Sequence, residues 1–140
     1  MATASIPFKL ITPAQLVFSG DAELVIAVTT EGEEGILPEH APFLAALKPG
    51  VLRANVVDGG ANKRLELATG EGFMQALPDR VTVLVDEALR FEDVDVAKAR
   101  EELADALERQ KSESIESPGF ARAQAEVDFA NAKLRLTGQQ

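Results

Sequence analysis

GILPEHAPFLAALKPG, the sequence from Gly35 to Gly50, decides which folds the chain can adopt. Its internal prolines, Pro38 and Pro42, fix their own φ angles and push the preceding residues toward extended backbone. The segment therefore cannot be a continuous helix, although it is rich in Leu and Ala. Lys48-Pro49-Gly50 predicts a closing turn, with Pro and Gly in the two central positions that a type II turn favours. We interpret the whole segment as a shaped recognition loop that contains His40, the only histidine of the chain.

On both sides of this loop, from Phe8 to Glu87, the apolar residues alternate or form short β-rich runs broken by Gly, Pro and Asp. Asp58-Gly59-Gly60 and Leu77-Pro78-Asp79-Arg80 carry the residue types of tight turns. Many short strands at this spacing predict a β-sandwich or barrel. The predicted strands are Phe8–Ile11, Gln15–Ser19, Ala22–Thr30, Val51–Val57, Arg64–Ala68, Gly72–Leu77 and Val81–Val85.

From Phe91 onward the pattern becomes helical. Asp93 is the expected N-cap of a first helix, and Ser117-Pro118 restarts a second helix with a cap residue followed by proline. Gly138 is a reasonable stop signal. Two helices joined by a short polar loop predict an antiparallel hairpin. On the first helix an apolar face and two four-apart ion pairs are expected, formed by Val96, Ala99, Leu103, Ala106 and Leu107, and by Lys98 with Glu102 and Asp105 with Arg109.

The second helix has two apolar stripes whose centres lie about 160° apart at 100° per residue. One partner helix cannot cover both stripes. The helix is therefore either sandwiched between its hairpin mate and the β unit, or it exchanges partners by folding onto the β unit or standing against another subunit. The stripes are Phe120, Ala123, Val127, Ala130 and Leu134, and Ala125, Phe129, Ala132 and Leu136.

Composition limits the classes of function. The 140 residues carry 23 acidic and 14 basic side chains, a net charge of −9, which opposes binding to a nucleic-acid backbone. The chain has no cysteine, so it has neither disulfides nor thiolate metal sites. No apolar run approaches the ~20 residues that span a bilayer, and the start lacks the regions of a signal peptide. We expect a protein without direct membrane insertion.

Several motifs, taken in order along the chain, resemble the epsilon subunit of the rotary F-type ATP synthase. They are Phe18-Ser19-Gly20 with Glu23, Glu31-Gly32-Glu33-Glu34-Gly35, the loop from Gly35 to Gly50, and Val81-Thr82-Val83-Leu84-Val85-Asp86. The resemblance covers nearly the whole chain. It implies a β-sandwich over residues 1–87, followed by a helical hairpin over residues 91–137 with a regulatory role.

The resemblance also implies a mechanical function. The epsilon family binds the central gamma shaft and the membrane rotor ring, couples proton translocation to ATP synthesis, and leaves catalysis to the alpha and beta subunits. No residue is therefore assigned a catalytic role. Glu33 and His40 would face the rotor ring, apolar sandwich surface would face gamma, and the protein would be peripheral on the cytoplasmic side of the bacterial plasma membrane.

Two features of the hairpin bear on regulation. Some bacterial members of the family hold ATP through a pattern Ile/Leu-Asp-x-x-Arg-Ala, to which Val94-Asp95-Val96-Ala97-Lys98-Ala99 corresponds. Lys98 offers a point charge where arginine would offer a planar fork of donors, which argues against ATP binding, and no cofactor is expected. Lys133 and Arg135 either complement the negative end of the second helix or, as in the family, contact the alpha and beta subunits transiently and inhibit ATP hydrolysis.

Other classes of function remain open at this point. The chain could be a free-standing ligand-binding β-sandwich whose hairpin is a lid or a dimer arm, or a small hydrolase using His40. A metal site needs several convergent ligands, and no His/Cys cluster exists in the sequence. Gly70-Glu71-Gly72 has no following helix or Lys-Ser/Thr, so it is not a phosphate loop; its glycines predict a bulge or a close backbone approach.

Overall fold

The computed structural model describes residues 4–139, which form a β-sandwich followed by two antiparallel helices. This arrangement confirms the predicted fold class. A 3₁₀ turn at Phe91–Asp93 joins the last strand to the first helix. The elements are β1 (Ile6–Ile11), β2 (Leu16–Thr29), β3 (Gly32–Ile36), β4 (Phe43–Leu47), β5 (Gly50–Asp58), β6 (Ala61–Thr69), β7 (Gly72–Leu77), β8 (Arg80–Val85), β9 (Ala88–Arg90), α1 (Val96–Lys111) and α2 (Pro118–Leu136).

The strands form two layers that share β2. One layer has the order β1-β8-β7-β4, and the other has β2, β5, β6 and β9 in that order, with β3 beside β2. The first part of β2 pairs with β1, its middle with β5 and its end with β3, while Thr29 at its last position also pairs with Leu47 of β4. Because β2 is 14 residues long, it can pair with strands of both layers.

The core lies between the layers and is filled by alternate residues of each strand, as the period of two requires. Phe8 and Leu10 of β1 are fully buried, and the ring of Phe8 lies 5.6 Å from that of Phe18. Facing strands contribute Val25, Leu52, Leu67, Met74, Val81 and Val83 to the same apolar cluster.

Three of the observed strands were not predicted, and two strands that were predicted separately form a single continuous strand. The separate strands expected on either side of Gly20 form the continuous β2. The acidic segment after Thr30, for which no strand was predicted, is β3, and the second half of the expected recognition loop is β4. The three-residue β9 pairs with β6. The loop itself is therefore only residues 37–42.

The predicted turns differ in outcome. Gly59 and Gly60, with φ of 60° and 83°, make the expected tight hairpin between β5 and β6, and a two-residue connection joins β7 to β8. The prediction of a type II turn at Lys48-Pro49-Gly50 is wrong, because Gly50 does not have the positive φ that such a turn needs. A Cβ at Gly50 would lie 2.6 Å from Cγ2 of Val28, so close packing explains this glycine.

The helices begin where side chains cap them. Asp95, rather than the predicted Asp93, caps α1, and Asp93 lies in the preceding 3₁₀ turn. The hydroxyl of Ser117 accepts a hydrogen bond of 3.1 Å from the backbone N–H of Phe120, which confirms the predicted cap of α2. Asp93 lies two residues before Asp95, and sequence patterns do not locate a helix end that closely.

The α2 helix lies between α1 and the sandwich. Its stripe of Ala123, Val127, Ala130 and Leu134 is buried within the hairpin, and its opposite stripe packs on β5 and β6. Ala132 forms a cluster there with Val51 and Ala68, together with half-buried Phe129 and Leu136. The sandwiched arrangement of α2, one of the two that its stripes allow, is the one observed.

Candidate functional site

The loop of residues 37–42 joins β3 to β4 at one end of the sandwich. Glu39 has a φ of 65°, a left-handed conformation that is uncommon for a residue other than glycine. Leu37 is exposed, and the two prolines limit the conformations available to the loop. The loop therefore presents a defined surface, with His40 beside the strained residue.

His40 is held by local contacts. Its Nδ1 lies 2.8 Å from the carbonyl oxygen of Ala41, which can only accept, so Nδ1 carries the proton in this arrangement. Nε2 is buried and has no hydrogen-bond partner within residues 4–139. The ring meets Phe43 edge-on, with 6.1 Å between the centroids. Across the same residues, no group of three or more His, Cys, Asp or Glu side chains could hold a metal ion.

Glu33 lies on β3 and forms an ion pair that the sequence analysis did not predict. Nη2 of Arg53 on β5 donates to its carboxylate at 2.7 Å. Both side chains retain solvent access, so the pair adds little stability. In this arrangement the carboxylate points toward Arg53. Glu33 is near the start of β3 and His40 follows its end, so at ~3.3 Å per residue they occupy different ends of this strand rather than one cluster.

An apolar surface covers the outer face of the β1-β8-β7-β4 layer. Phe73 and Leu84 are direct cross-strand partners, 56% and 50% exposed, and Ile11 continues the same row on β1. On β4, Ala46 is opposite Phe73, and Leu44, two positions away, is 69% exposed. We call these five residues the outer patch. Contiguous exposed apolar surface of this kind marks sites of protein association.

Apolar sandwich surface was expected at an interface, but these residues were not predicted from the sequence. The alternation of β7 and β8 contained the signal, because Phe73 and Leu84 lie out of phase with buried Met74 and Val83. Locating the patch required the register between the strands, which the sequence does not specify.

Asp95 and Lys98, the candidate nucleotide motif, form the start of α1. Oδ1 of Asp95 accepts a hydrogen bond of 3.1 Å from the backbone N–H of Lys98. This contact is an N-cap and satisfies one of the free N–H groups of the first turn. The aspartate thus has a structural role that requires no nucleotide.

Lys133 and Arg135 lie in the last turns of α2 but in different surroundings. Lys133 is only 8% exposed; its Nζ is 2.6 Å from Oε1 of Glu102 and 4.7 Å from the ring centre of Phe129. Arg135 is exposed. The expected pairs along α1 are replaced by bridges across the hairpin, Glu102 with Lys133 and Arg109 with Glu126. Phe129 and Lys133 are four residues apart on one helix, a spacing that could have suggested their contact.

Comparison with known proteins identifies the family. A family model described as "ATP synthase, Delta/Epsilon chain, beta-sandwich domain" matches residues 5–91. The ATP synthase epsilon chain of Chromobacterium violaceum is 39% identical over 127 residues, which cover 91% of this chain and 89% of that protein. The chain belongs to the ATP synthase epsilon family. The resemblance seen in the sequence is confirmed, and as an epsilon subunit the chain is a non-catalytic component of ATP synthase.

Other epsilon relatives and solved structures agree. The epsilon chain of Chromohalobacter salexigens is 38% identical, covering 97% of this chain and 94% of that protein. A chain of Euglena gracilis mitochondrial ATP synthase aligns with a TM-score of 0.76 at 22% identity, covering 94% and 80% of the two chains. A chain of the central stalk and c-ring of Tetrahymena thermophila mitochondrial ATP synthase gives 0.62 at 18% identity, covering 98% and 99%. Both chains share the fold of this protein.

No helix within residues 4–139 has the length and apolar character needed to cross a membrane.

Proposed function

We propose that the chain is a rotor subunit of the central stalk of F-type ATP synthase, which couples proton translocation to ATP synthesis by binding the gamma shaft and the membrane rotor ring. The observation that carries the proposal is the outer patch, an apolar surface on a chain of the epsilon family. Residues 1–87 would bind the rotor, and residues 91–137 would regulate it. The protein would be peripheral, on the cytoplasmic side of the bacterial plasma membrane.

The outer patch suits the gamma shaft. Its row of Ile11, Leu84, Phe73 and Ala46 runs across four neighbouring strands, so it lies on a rigid sheet. Because the sheet already holds these side chains in one arrangement, little conformational entropy is lost when a partner binds. A rigid surface also suits an attachment that must transmit torque. The patch is on the layer opposite β5 and β6, which α2 covers, so the hairpin leaves it free for a partner.

The ring would meet the β3 side of the sandwich. The acidic β3, with Glu33 and Glu34 exposed, and the proline-restricted loop around His40 lie next to each other in the chain and offer charge and shape to polar loops of a partner. In this arrangement the Glu33 carboxylate points toward Arg53, and the imidazole contacts the carbonyl oxygen of Ala41.

We expect the double variant Glu33→Arg/His40→Ala to weaken assembly with the rotor ring without unfolding the isolated protein. The new arginine faces Arg53, and the alanine removes the ring that contacts Phe43. Rotor assembly is measured by co-purification with the ring and by proton-coupled ATP synthesis in membrane vesicles.

Asp58→Arg, which reverses one charge of the exposed Asp58–Lys63 ion pair in the hairpin between β5 and β6, is the matched control, because it alters the net charge as Glu33→Arg does. The control should assemble normally. Co-purification and ATP synthesis by the Glu33 and His40 variant at the control level would contradict the assignment of the ring-facing surface.

The hairpin is proposed to inhibit ATP hydrolysis through transient contact with the alpha and beta subunits. Deleting residues 91–140 should therefore raise the ATP hydrolysis rate of the assembled enzyme, because the inhibiting element is gone. The measurement compares hydrolysis by enzyme reconstituted with the full or the shortened chain at equal occupancy. An unchanged rate would leave the hairpin without an inhibitory role, while rotor assembly through the sandwich would be unaffected.

A further inference from the structure

An acidic row borders the outer patch at one end of its strands. Residues two apart on a strand share a face and lie ~6.6 Å apart, so outward-facing residues form rows across the sheet. Phe73 and Leu84 are opposite each other in the apolar row. In the next row the backbone N–H of Asp86 donates to the carbonyl oxygen of Glu71 at 2.9 Å, which extends the pairing of β7 with β8. Both carboxylates are exposed, so this edge of the patch is negative.

A basic edge borders the patch on the opposite side. Thr82 of β8 is opposite Lys9 of β1, and Arg80 begins β8 two residues earlier. Lys9 and Arg80 are both exposed. Lys9 forms no ion pair within the described part of the chain, and Arg80 is 3.9 Å from the exposed carboxylate of Asp79. With Asp79 counted, these three side chains have a net positive charge, on a chain whose total is −9.

Both charged edges open into grooves that meet the apolar row at Ile11. On the acidic side, Ile11 lines a groove of about 390 Å³ together with Glu71 and Asp86. On the basic side, Ile11 lines a groove of about 620 Å³ together with Lys9 and Arg80. A partner that covers the apolar row therefore also meets side chains of both edges.

The two edges can distinguish orientations that the apolar row cannot. Burial of apolar surface is non-directional, so a partner could bury the same apolar area on this face after a half turn about the normal to the sheet. The half turn would exchange which of its side chains meet the acidic edge and which meet the basic edge. A partner with complementary charges would then oppose like charges on both sides, and such repulsion selects against the wrong orientation.

We propose that the outer patch orients its partner by charge: the gamma segment that covers it carries cationic side chains along the edge that meets Glu71 and Asp86, and anionic side chains along the edge that meets Lys9 and Arg80. This inference rests on the proposed function, binding of gamma by the outer patch. The charged groups lie at the rim, so they act on the rate and orientation of association more than on affinity.

The test exchanges the charges of the two edges and leaves the apolar row unchanged. Lys9→Glu combined with Glu71→Lys inverts the polarity of the face at constant net charge. The matched control, Asp58→Lys with Lys63→Glu, makes the same exchange at an exposed ion pair in the hairpin between β5 and β6, on the other layer. Association of each full chain with purified gamma is followed by surface-based kinetics at low and at high salt.

At ~0.02 M salt the chain with exchanged edges should associate with gamma at least about tenfold more slowly than the parent, because both edges oppose like charges. At ~0.5 M salt the two association rates should agree to within about twofold, because exposed charges are screened. The control should match the parent at both salt concentrations.

The proposal is overturned if the exchanged chain associates like the parent at low salt, or if its loss is the same at high salt. Phe73→Glu/Leu84→Glu separates this result from the proposed function: if that variant loses gamma and the exchanged chain does not, the patch binds gamma without orienting it by charge. A parent that does not bind gamma contradicts the proposed function and this inference together. Circular dichroism identifies an exchanged chain that fails to fold, and the salt dependence of the single variants Lys9→Glu and Glu71→Lys then decides the outcome.

Discussion

Phe73→Glu combined with Leu84→Glu is expected to weaken binding of the chain to the gamma subunit by at least about tenfold, which corresponds to ~1.4 kcal/mol. The two side chains are opposite each other on β7 and β8, at the centre of the outer patch. On binding, two carboxylates at these positions would lose their contacts with water without gaining a charged or hydrogen-bonding partner. Binding is measured by calorimetry or surface-based kinetics with purified gamma.

The control places the same charges on other exposed apolar residues. Leu107→Glu with Ile115→Glu changes the hairpin, where these side chains are 41% and 80% exposed, and should leave gamma binding unchanged. Both double variants should retain the stability of the parent, because none of the four residues is buried. Equal binding by the outer-patch variant and the parent would remove the patch from the gamma interface.

A second large effect is expected for Gly72→Ala, which should lower the free energy of unfolding by about 3 kcal/mol. A Cβ at this position would lie 1.8 Å from the carbonyl oxygen of Leu84 and 2.7 Å from Cα of Val85. Those atoms belong to the backbone of β8, so relief requires β7 and β8 to move apart. Urea unfolding followed by circular dichroism measures the change.

Gly35→Ala on β3 is the matched control, because its Cβ would meet Cδ1 of Leu24 at 3.6 Å, an ordinary contact, and its φ is not positive. We expect a change within ~1 kcal/mol for this variant. If the two glycine variants unfold at the same urea concentration, the close approach of β8 to Gly72 does not constrain the sandwich.

The sequence predicted the elements whose signal is local. The alternation of apolar residues predicted most strands. The Asp58-Gly59-Gly60 turn predicted its hairpin, and Ser117-Pro118 predicted the start of α2. The close backbone approach predicted around Gly70 and Gly72 is confirmed at Gly72, where a Cβ would meet the backbone of β8, whereas at Gly70 it would meet the side chain of Asp86. Each of these features depends on the conformational preferences of a few neighbouring residues.

The elements that were missed depend on distant partners. β3 contains two glycines and two glutamates, a poor strand by propensity, and it forms because β2 offers a ladder of hydrogen bonds beside it. β9 is three residues long and exists only through β6. A turn was predicted at Gly50 because the close packing of Val28 against this glycine cannot be inferred from the neighbouring sequence.

The candidate site was predicted only in part, because some of its contacts also join residues that are distant in sequence. The candidate residues could be named from motifs, and the partners of His40 and Asp95 are close in sequence, but those of Glu33 and Lys133 are far away. The residues named were Glu33, His40, Asp95, Lys98, Lys133 and Arg135. Arg53 contacts Glu33 across 20 positions, and Glu102 contacts Lys133 across 31. Those contacts follow from strand register and helix packing, so they became visible only in the folded chain.

The proposed binding of this epsilon subunit to the rotor through its sandwich is tested by recovering an affinity-tagged full chain from detergent extracts of its native membranes and identifying the bound proteins. Gamma and the catalytic subunits are expected to co-purify with the parent, and Phe73→Glu/Leu84→Glu is expected to recover at least about tenfold less of them. Recovery of the parent as a lone monomer or homodimer, or equal recovery by the variant, would contradict the proposed binding.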